Sequence, residues 1–344
     1  MTFAREPSTD RNSYAIEVSG LTKAYGHFTA VNEISFEVYE QEIFGLLGPN
    51  GAGKTTTIKC LLTLAKPTSG SASICGKSIT EEPDQVRVQC GYVPQGISVI
   101  RDLTGYENLL ISAKMFSVPR SQRKKRIDEA LSMMDLTEVR DKMVTQYSGG
   151  MMRRLEIGCA LIHQPKVLFL DEPSIGLDPA GRQVVWERIR DLREEAGTTV
   201  FITTHDMSEA DQLCDRIAIM NKGKIAVIGN PSELKKSLGG DVITIACDAA
   251  PEAHRVLQSI MPDLKAMESE KELVVVTDDG DRTIPLILKA LTSEGIDVSS
   301  IGLKRPTLDE VFLRYSGQRM EEAEHEGDWS QTRQRRRMVQ RMRQ

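Results

Sequence analysis

Eight consecutive residues, Gly48-Pro49-Asn50-Gly51-Ala52-Gly53-Lys54-Thr55, carry the pattern GxxxxGK[ST]. Glycines at this spacing let the backbone curl until successive N–H groups point at one anion. The helix expected from Lys54 onward adds its positive N-terminal end to the same place. Lys54 can reach the β- and γ-phosphates of a nucleotide, and the Thr55 hydroxyl can ligate Mg2+. A second set lies downstream, where the apolar run Lys166 to Asp171 ends on one carboxylate and Glu172 supplies another. A carboxylate at a strand end can hold hydrated Mg2+, and its neighbour can polarise an attacking water, which is the division of labour phosphoryl transfer needs. Alone, the pair would read as solvated acids opening a turn before Pro173. Beside a complete phosphate loop, the catalytic reading leads. A third set, Tyr147-Ser148-Gly149-Gly150-Met151, heads the helical run Met152 to Leu161. Ser148 is a natural N-cap and the glycines leave N–H groups bare, so the segment is either a second anion site or an ordinary capped helix. Two copies of the chain placed head to tail would give both loops a use.

The elements around these residues follow from periodicity. Ser13 to Ser19 and Ile34 to Tyr39 alternate as half-buried strands, and Ile43 to Leu47 is a short apolar strand running into the glycine loop. From about Gly96 to Ala160 the texture is amphipathic helix, with Met115, Met133 and Met134 expected to fill core. Val167 to Leu170, Val200 to Thr203 and Arg216 to Met220 are bare apolar strands, separated by helical patterns at Arg182 to Glu195 and Met207 to Leu213. Strands alternating with helices predict a mostly parallel sheet covered on both faces. A short helix (Ser232 to Leu238) is expected to close this part, and Gly239-Gly240 reads as a linker. Beyond it the order is strand Asp241 to Ala246, helix Glu252 to Ile260, weak strand Leu264 to Met267, strand Glu272 to Thr277, helix Ile284 to Leu291 and strand Val298 to Leu303. That is the βαββαβ order of a ferredoxin-like fold. A last helix, Thr307 to Tyr315, has Thr307 as its N-cap and Glu310 as the box partner. The expected division is a flexible leader at 1–14, a nucleotide-binding α/β domain at 15–238 with a helical subdomain at about 96–160, a small α+β domain at 241–316, and a charged, disordered tail at 317–344.

Bulk composition narrows the class. The 344 residues carry a net charge of −5, which excludes a strongly basic nucleic-acid-binding chain. Six cysteines without a CxxC pair or metal spacing read as buried small hydrophobes in a reducing compartment. The polar stretch from Met1 to Asn12 lacks the apolar core of a secretory signal, and no window is long and apolar enough to span a bilayer. A membrane role would have to come through a partner.

Taken together, the phosphate loop, Tyr92-Val93-Pro94-Gln95, Ser148-Gly149-Gly150, Leu170-Asp171-Glu172-Pro173, Gly176-Leu177-Asp178 and Thr204-His205-Asp206 resemble an ABC-transporter nucleotide-binding domain across residues 15–230. The resemblance implies a P-loop NTPase fold of the ABC type that binds and hydrolyses ATP with Mg2+. It implies nucleotide contacts at Tyr25 (stacked on adenine), Gly48, Asn50, Gly51, Gly53, Lys54, Thr55 and Thr56. Metal contacts are implied at Thr55, Gln95 and Asp171, and catalytic roles at Glu172, His205 and Gln95. Ser148 and Gly150 would bind the γ-phosphate held by a second copy, and Asp178 would shape that contact. Met151 stands where most members carry Gln, and Met151-Met152-Arg153-Arg154-Leu155 is similar to the drug-resistance exporter branch, as is Pro306-Thr307-Leu308-Asp309-Glu310-Val311-Phe312-Leu313. The implied partners are a second copy of the chain and a separate integral membrane permease, with no nucleic acid, and the implied place is the cytoplasmic face of the membrane. A soluble ABC-like ATPase acting on nucleic acid or ribosomes is the alternative, supported only by the arginines from Arg333 to Arg343.

Overall fold

The computed structural model describes residues 13–261, 265–268 and 272–316; the leader up to residue 12 and the charged tail from 317 lie outside the described residues. The described chain forms two compact units, one running to Gly229 and one starting at Asn230.

In the first unit, β1 (Tyr14–Tyr25) and β2 (Phe28–Tyr39) pair antiparallel as a hairpin. They continue into β4 (Ser69–Ile74) and β5 (Lys77–Ser78), giving a four-stranded sheet ordered β2-β1-β4-β5. The second sheet has the order β10-β9-β3-β8-β7-β6. Its strands are β3 (Ile43–Leu47), β6 (Cys90–Val93), β7 (Val167–Asp171), β8 (Thr199–Thr204), β9 (Arg216–Asn221) and β10 (Lys224–Gly229). All pairs are parallel except the β9–β10 hairpin at one edge. The unbroken burial of β3, β7 and β8 is what a parallel strand covered on both faces requires.

The mostly parallel sheet thus forms as its pattern predicts, but the antiparallel sheet is an addition. Ser69–Ile74 reads SGSASI, too polar and small to signal a strand, and it is held by its register against β1. The first two strands are also longer than their alternating cores, because hairpin pairing extends both to the turn at Gly26. Between the sheets the few aromatics collect: Phe36 stacks on Phe44 at 5.5 Å, and Phe201 packs on Phe44 at 5.7 Å and Phe169 at 5.4 Å. These residues sit in one buried cluster with Ile16, Leu21, Ile58 and Met220.

Helices cover the sheet. α1 (Lys54–Leu61) follows the glycine loop, and α2 (Pro83–Gln89) precedes β6. Three helices make up the stretch expected to be helical: α3 (Gly105–Met115), α4 (Arg120–Met133) and α5 (Gly149–Leu161). A complete capping box at Thr104 and Glu107 starts α3. Met134 is fully buried, as expected, but Met115 is 77% exposed, because it ends α3 on the outward side. α6 (Pro179–Glu194) and α7 (Met207–Leu213) complete the unit.

The second unit opens with α8 (Pro231–Lys236), capped by Asn230. The sequence groups this helix with the nucleotide-binding part; in the structure it packs on α11 (Leu308–Ser316), where Arg314 donates to the Ser237 carbonyl at 2.6 Å. Between them run β11 (Asp241–Cys247), α9 (Ala250–Ile260), β12 (Lys265–Glu268), β13 (Glu272–Thr277), α10 (Gly280–Ser293) and β14 (Val298–Lys304). The sheet order β12-β13-β11-β14, antiparallel throughout, is the ferredoxin-like arrangement. Ile243, Ile245, Leu273 and Val275 pack under Leu257 and Ile287 of the helices. Thr307 and Glu310 exchange the two hydrogen bonds of a capping box, at 3.3 and 3.4 Å.

Candidate active site

The glycine loop leaves the end of β3 and turns into α1. Gly51 and Gly53 take positive φ, 83° and 111°. A Cβ at Gly53 would lie 2.4 Å from the Ala30 carbonyl oxygen and one at Gly48 would lie 2.2 Å from that of Met220, so only glycine lets the loop pass. Lys54, the first residue of α1, is 5% exposed and points back into the loop. Its ammonium donates to the carbonyls of Gly48 at 2.6 Å and Pro49 at 3.2 Å, and lies 3.5 Å from Glu172 Oε1. Thr55 sets its hydroxyl 3.3 Å from Asp171 Oδ1.

Asp171 closes β7 and is 1% exposed. The parallel register of β7 and β8 puts Thr203 opposite it, and the Thr203 hydroxyl donates to the same Oδ1. Glu172 follows with φ of 51°, an uncommon conformation for a side-chain-bearing residue, held by its N–H donating to the Thr203 carbonyl at 3.0 Å. Its second carboxylate oxygen meets His205 Nδ1 at 3.3 Å and accepts from the Gln95 amide at 3.1 Å. Burial pushes the Glu172 carboxyl upward, but the hydrogen bond from His205 and the charges of Lys54 and His205 outweigh it and hold the group below its ordinary value. Glu172 is thus a buried carboxylate whose ionised form is favoured by three polar partners, as suits a group that orients and polarises water.

Six of the expected residues, Lys54, Thr55, Gln95, Asp171, Glu172 and His205, therefore meet in one corner at the strand ends. Gly48, Gly51 and Gly53 form the loop beside them; Asn50 is exposed at its tip and Thr56 half-buried on α1. Tyr25, Ser148 and Gly150 lie outside this cluster of contacts among the described residues. Tyr25 ends β1 half exposed, with the Lys23 ammonium 4.7 Å from its ring centre. Ser148 caps α5 by accepting from Met151 N at 3.2 Å, which leaves it and Gly149 exposed at the helix head. Asp178 is exposed at the head of α6.

Sequence reasoning does not single out two further groups. Thr203 could have been found as the parallel neighbour of Asp171. The other is a buried polar knot, in which the Trp186 indole donates to Ser174 Oγ at 2.7 Å and to Glu209 Oε1 at 3.0 Å, while the Ser174 hydroxyl donates to Glu209. It ties the segment after Glu172 to the helix after His205. Burial pushes the Glu209 carboxyl upward. No pattern in the sequence marks it.

The donor set at Thr55 and Asp171, one hydroxyl and one carboxylate oxygen, suits a hard cation. Among the described residues no group of three or more His, Cys, Asp or Glu could enclose a metal by itself. A cation here would complete its shell with water and phosphate oxygens, which is the habit of Mg2+. No helix among the described residues is long and apolar enough to cross a membrane.

Comparison with known proteins agrees with this geometry. The family model "ABC transporter" matches residues 31–175, and the model "ATP-binding protein DrrA1-3-like, C-terminal domain" matches 229–316. The daunorubicin resistance ATP-binding protein DrrA2 of Streptomyces coeruleorubidus is 38% identical over 317 residues, covering 91% of this chain and 98% of that protein. The linearmycin resistance ATP-binding protein LnrL of Bacillus subtilis is 36% identical, covering 88% and 98%. The Nod factor export ATP-binding protein I of Ralstonia nicotianae is 37% identical, covering 93% and 99%. Among solved structures, cbiO1 of Clostridium perfringens, part of the ABC transporter complex cbiONQ, superimposes with a TM-score of 0.61 at 28% identity, over 73% of this chain and 97% of that one. A dimeric ATP-binding cassette in a post-hydrolysis state with ADP and Pi gives a TM-score of 0.56 at 27% identity, over 62% and 98%. With a phosphate loop, a strand-end carboxylate pair and near full-length likeness to such proteins, the chain belongs to the ATP-binding proteins of the ABC transporter family and is an ATPase.

Proposed function

We propose that this chain is the motor subunit of an exporter, hydrolysing Mg-ATP as a homodimer and driving a separate membrane permease. The carrying observation is the single corner in which Lys54, Gln95 and His205 converge on Glu172 beside the Thr55–Asp171 oxygen pair. ABC ATP-binding subunits dimerise and work with membrane permeases, and the resemblance to drug-resistance and Nod factor export proteins over almost the whole chain favours export.

The phosphate chain of ATP lies on the N–H groups of the loop from Gly48 to Thr55, with Tyr25 against the adenine. Lys54 exchanges its carbonyl partners for phosphate oxygens. Thr55 and Asp171 would hold Mg2+, helped by the carbonyl oxygen of the Gln95 amide, whose N–H engages Glu172. When bound, Mg2+ neutralises charge that builds on the phosphate oxygens. Glu172 orients and polarises the attacking water, and His205 fixes the Glu172 carboxylate and reaches the γ-phosphate. The head of α5, where Ser148 and Gly149 are exposed and Gly150 is buried behind them, serves the nucleotide held by the second copy through Ser148 and the backbone of Gly150, and Asp178 lines the same contact. Closure driven by ATP and relaxation after hydrolysis then do mechanical work, because only the difference in ATP affinity between open and closed dimers can shift that equilibrium. The permease docks on the region of α3 to α5 at the cytoplasmic face of the membrane.

The test is to isolate the tagged chain from its native membranes in mild detergent. Co-purification of an integral membrane protein of about six spans supports the motor reading. Recovery only in soluble form with RNA or ribosomes overturns it in favour of a soluble ABC-like ATPase.

A further inference from the structure

One buried cation holds the catalytic corner together from behind. Arg153, on the second turn of α5, is 6% exposed and its partner Glu156 is 4% exposed. A guanidinium has five N–H groups in a fixed fork, and all five are used. Nε donates to the Pro173 carbonyl at 3.0 Å. One terminal nitrogen donates to the Pro94 carbonyl at 2.7 Å and to Glu156 Oε2 at 3.0 Å. The other donates to the carbonyls of Asp171 at 2.9 Å and Glu172 at 3.1 Å. Glu156 in turn accepts from the Ser98 N–H at 2.5 Å and its hydroxyl at 2.9 Å.

The acceptors fall on both sides of the two groups that do chemistry. Three consecutive carbonyls, 171 to 173, bracket Glu172, whose left-handed backbone persists only if its surroundings over-determine it. Pro94 is the residue before Gln95, and Ser98 lies three residues after it. Arg153 and Glu156 thus fix both ends of the Gln95–Glu172 contact. Both stand on the helix whose head carries Ser148.

We propose that Arg153, with Glu156, is a positioning pair that makes the Glu172–Gln95 geometry depend on where α5 sits, so that what binds at the head of this helix is felt at the base. The inference rests on the reading of Glu172 as the group that polarises water. Lysine keeps the charge at 153 but has only three donors and no fork, so it can hold Glu156 without holding all four carbonyls of the two segments.

The experiment compares steady-state ATP turnover, binding of a fluorescent ATP analogue and thermal unfolding in the full chain. The variants are R153K, the double change R153M/E156M, Q95A, and Q95A added to R153K. The double change removes both charges together and leaves neither buried alone. The expected result is R153K and R153M/E156M folded, nucleotide affinity within about threefold of wild type, and kcat lower by about a hundredfold, the scale of a misplacement of about 1 Å. Q95A slows the wild type but adds nothing on R153K, because the contact is already lost. Wild-type kcat in R153K or in the double variant overturns the proposal. So does an equal Q95A effect in both backgrounds, or failure of both Arg153 variants to fold, which would make the pair an element of stability. Glu172→Gln is measured in the same series. If it turns over normally, the assignment of Glu172 falls and this proposal with it. If it is inactive while R153K is not, only the positioning role falls.

Discussion

Truncating Lys54 to alanine separates two things its ammonium does. It is 5% exposed, donates to two loop carbonyls, and lies 3.5 Å from Glu172 Oε1. In the nucleotide complex those donors serve phosphate, and a hydrogen bond from a charged donor is worth about 1.5–3 kcal/mol. At about 1.4 kcal/mol per tenfold, losing one weakens ATP binding by about 10- to 150-fold. The second effect is on Glu172, which loses one of the charges opposing its burial. Its carboxyl pKa rises, because burial is the largest influence on it and only His205 and Gln95 remain as polar partners. The assay is anisotropy of a fluorescent ATP analogue with and without Mg2+, alongside calorimetric unfolding and with Lys54→Met as the variant that keeps the apolar stem. Affinity within twofold of wild type in a folded variant would refute the role assigned to the loop.

Other expectations follow from the same contacts. In His205→Ala the Glu172 carboxyl loses the hydrogen bond and charge that hold it down, so the acid limb of turnover moves to higher pH. Because a lowered folded pKa gives stability above the unfolded pKa that is lost as pH falls through the folded one, acid unfolding of this variant also begins at higher pH, readable by circular dichroism. Ser148→Ala removes the α5 cap at a cost of about 1 kcal/mol, leaves nucleotide affinity of the isolated chain unchanged and lowers turnover. An equimolar mixture of Lys54→Ala and Ser148→Ala chains recovers activity through one intact composite site, and a mixture no faster than either alone would exclude completion in trans. Burial pushes up the thiols of Cys60, Cys90, Cys214 and Cys247, all buried, so these four react with a disulfide reagent at pH 8 much more slowly in the folded chain than after unfolding in urea.

Much of the site is readable in the chain because its parts are short and contiguous: a loop from Gly48 to Thr55 and a carboxylate pair at 171 and 172, whereas His205 at its strand end is marked only by the family resemblance. The loop and the pair are fixed by local chemistry, so type and spacing carry the signal. The same holds for β3 and β7, whose apolar runs need no partner to be recognised, for β8 with its Val200-Phe201-Ile202 centre, and for the ferredoxin-like order of the second unit. What hides is decided by pairing across space. Ser69–Ile74 becomes a strand only because β1 offers it an edge, and Lys77–Ser78 because β4 does. Lys224–Gly229 adds an antiparallel edge to a parallel sheet through the hairpin at Gly223. Thr203 gains its part from the register of two strands, and Arg153 from carbonyls that lie 18, 19, 20 and 59 residues away in the chain. In the sequence Arg153 stands out only as part of Met151-Met152-Arg153-Arg154-Leu155; its acceptors come together only in the fold.

The central claim is that Glu172 activates the water that cleaves ATP. Its most direct test is single-turnover hydrolysis of labelled ATP by Glu172→Gln, with bound nucleotide measured in the same sample. The amide keeps the shape and the contacts to Gln95 and His205 but cannot draw a proton from water. The account predicts full ATP binding, hydrolysis slowed by about a thousandfold, and a dimer that persists while ATP remains. Hydrolysis at the wild-type rate would contradict it.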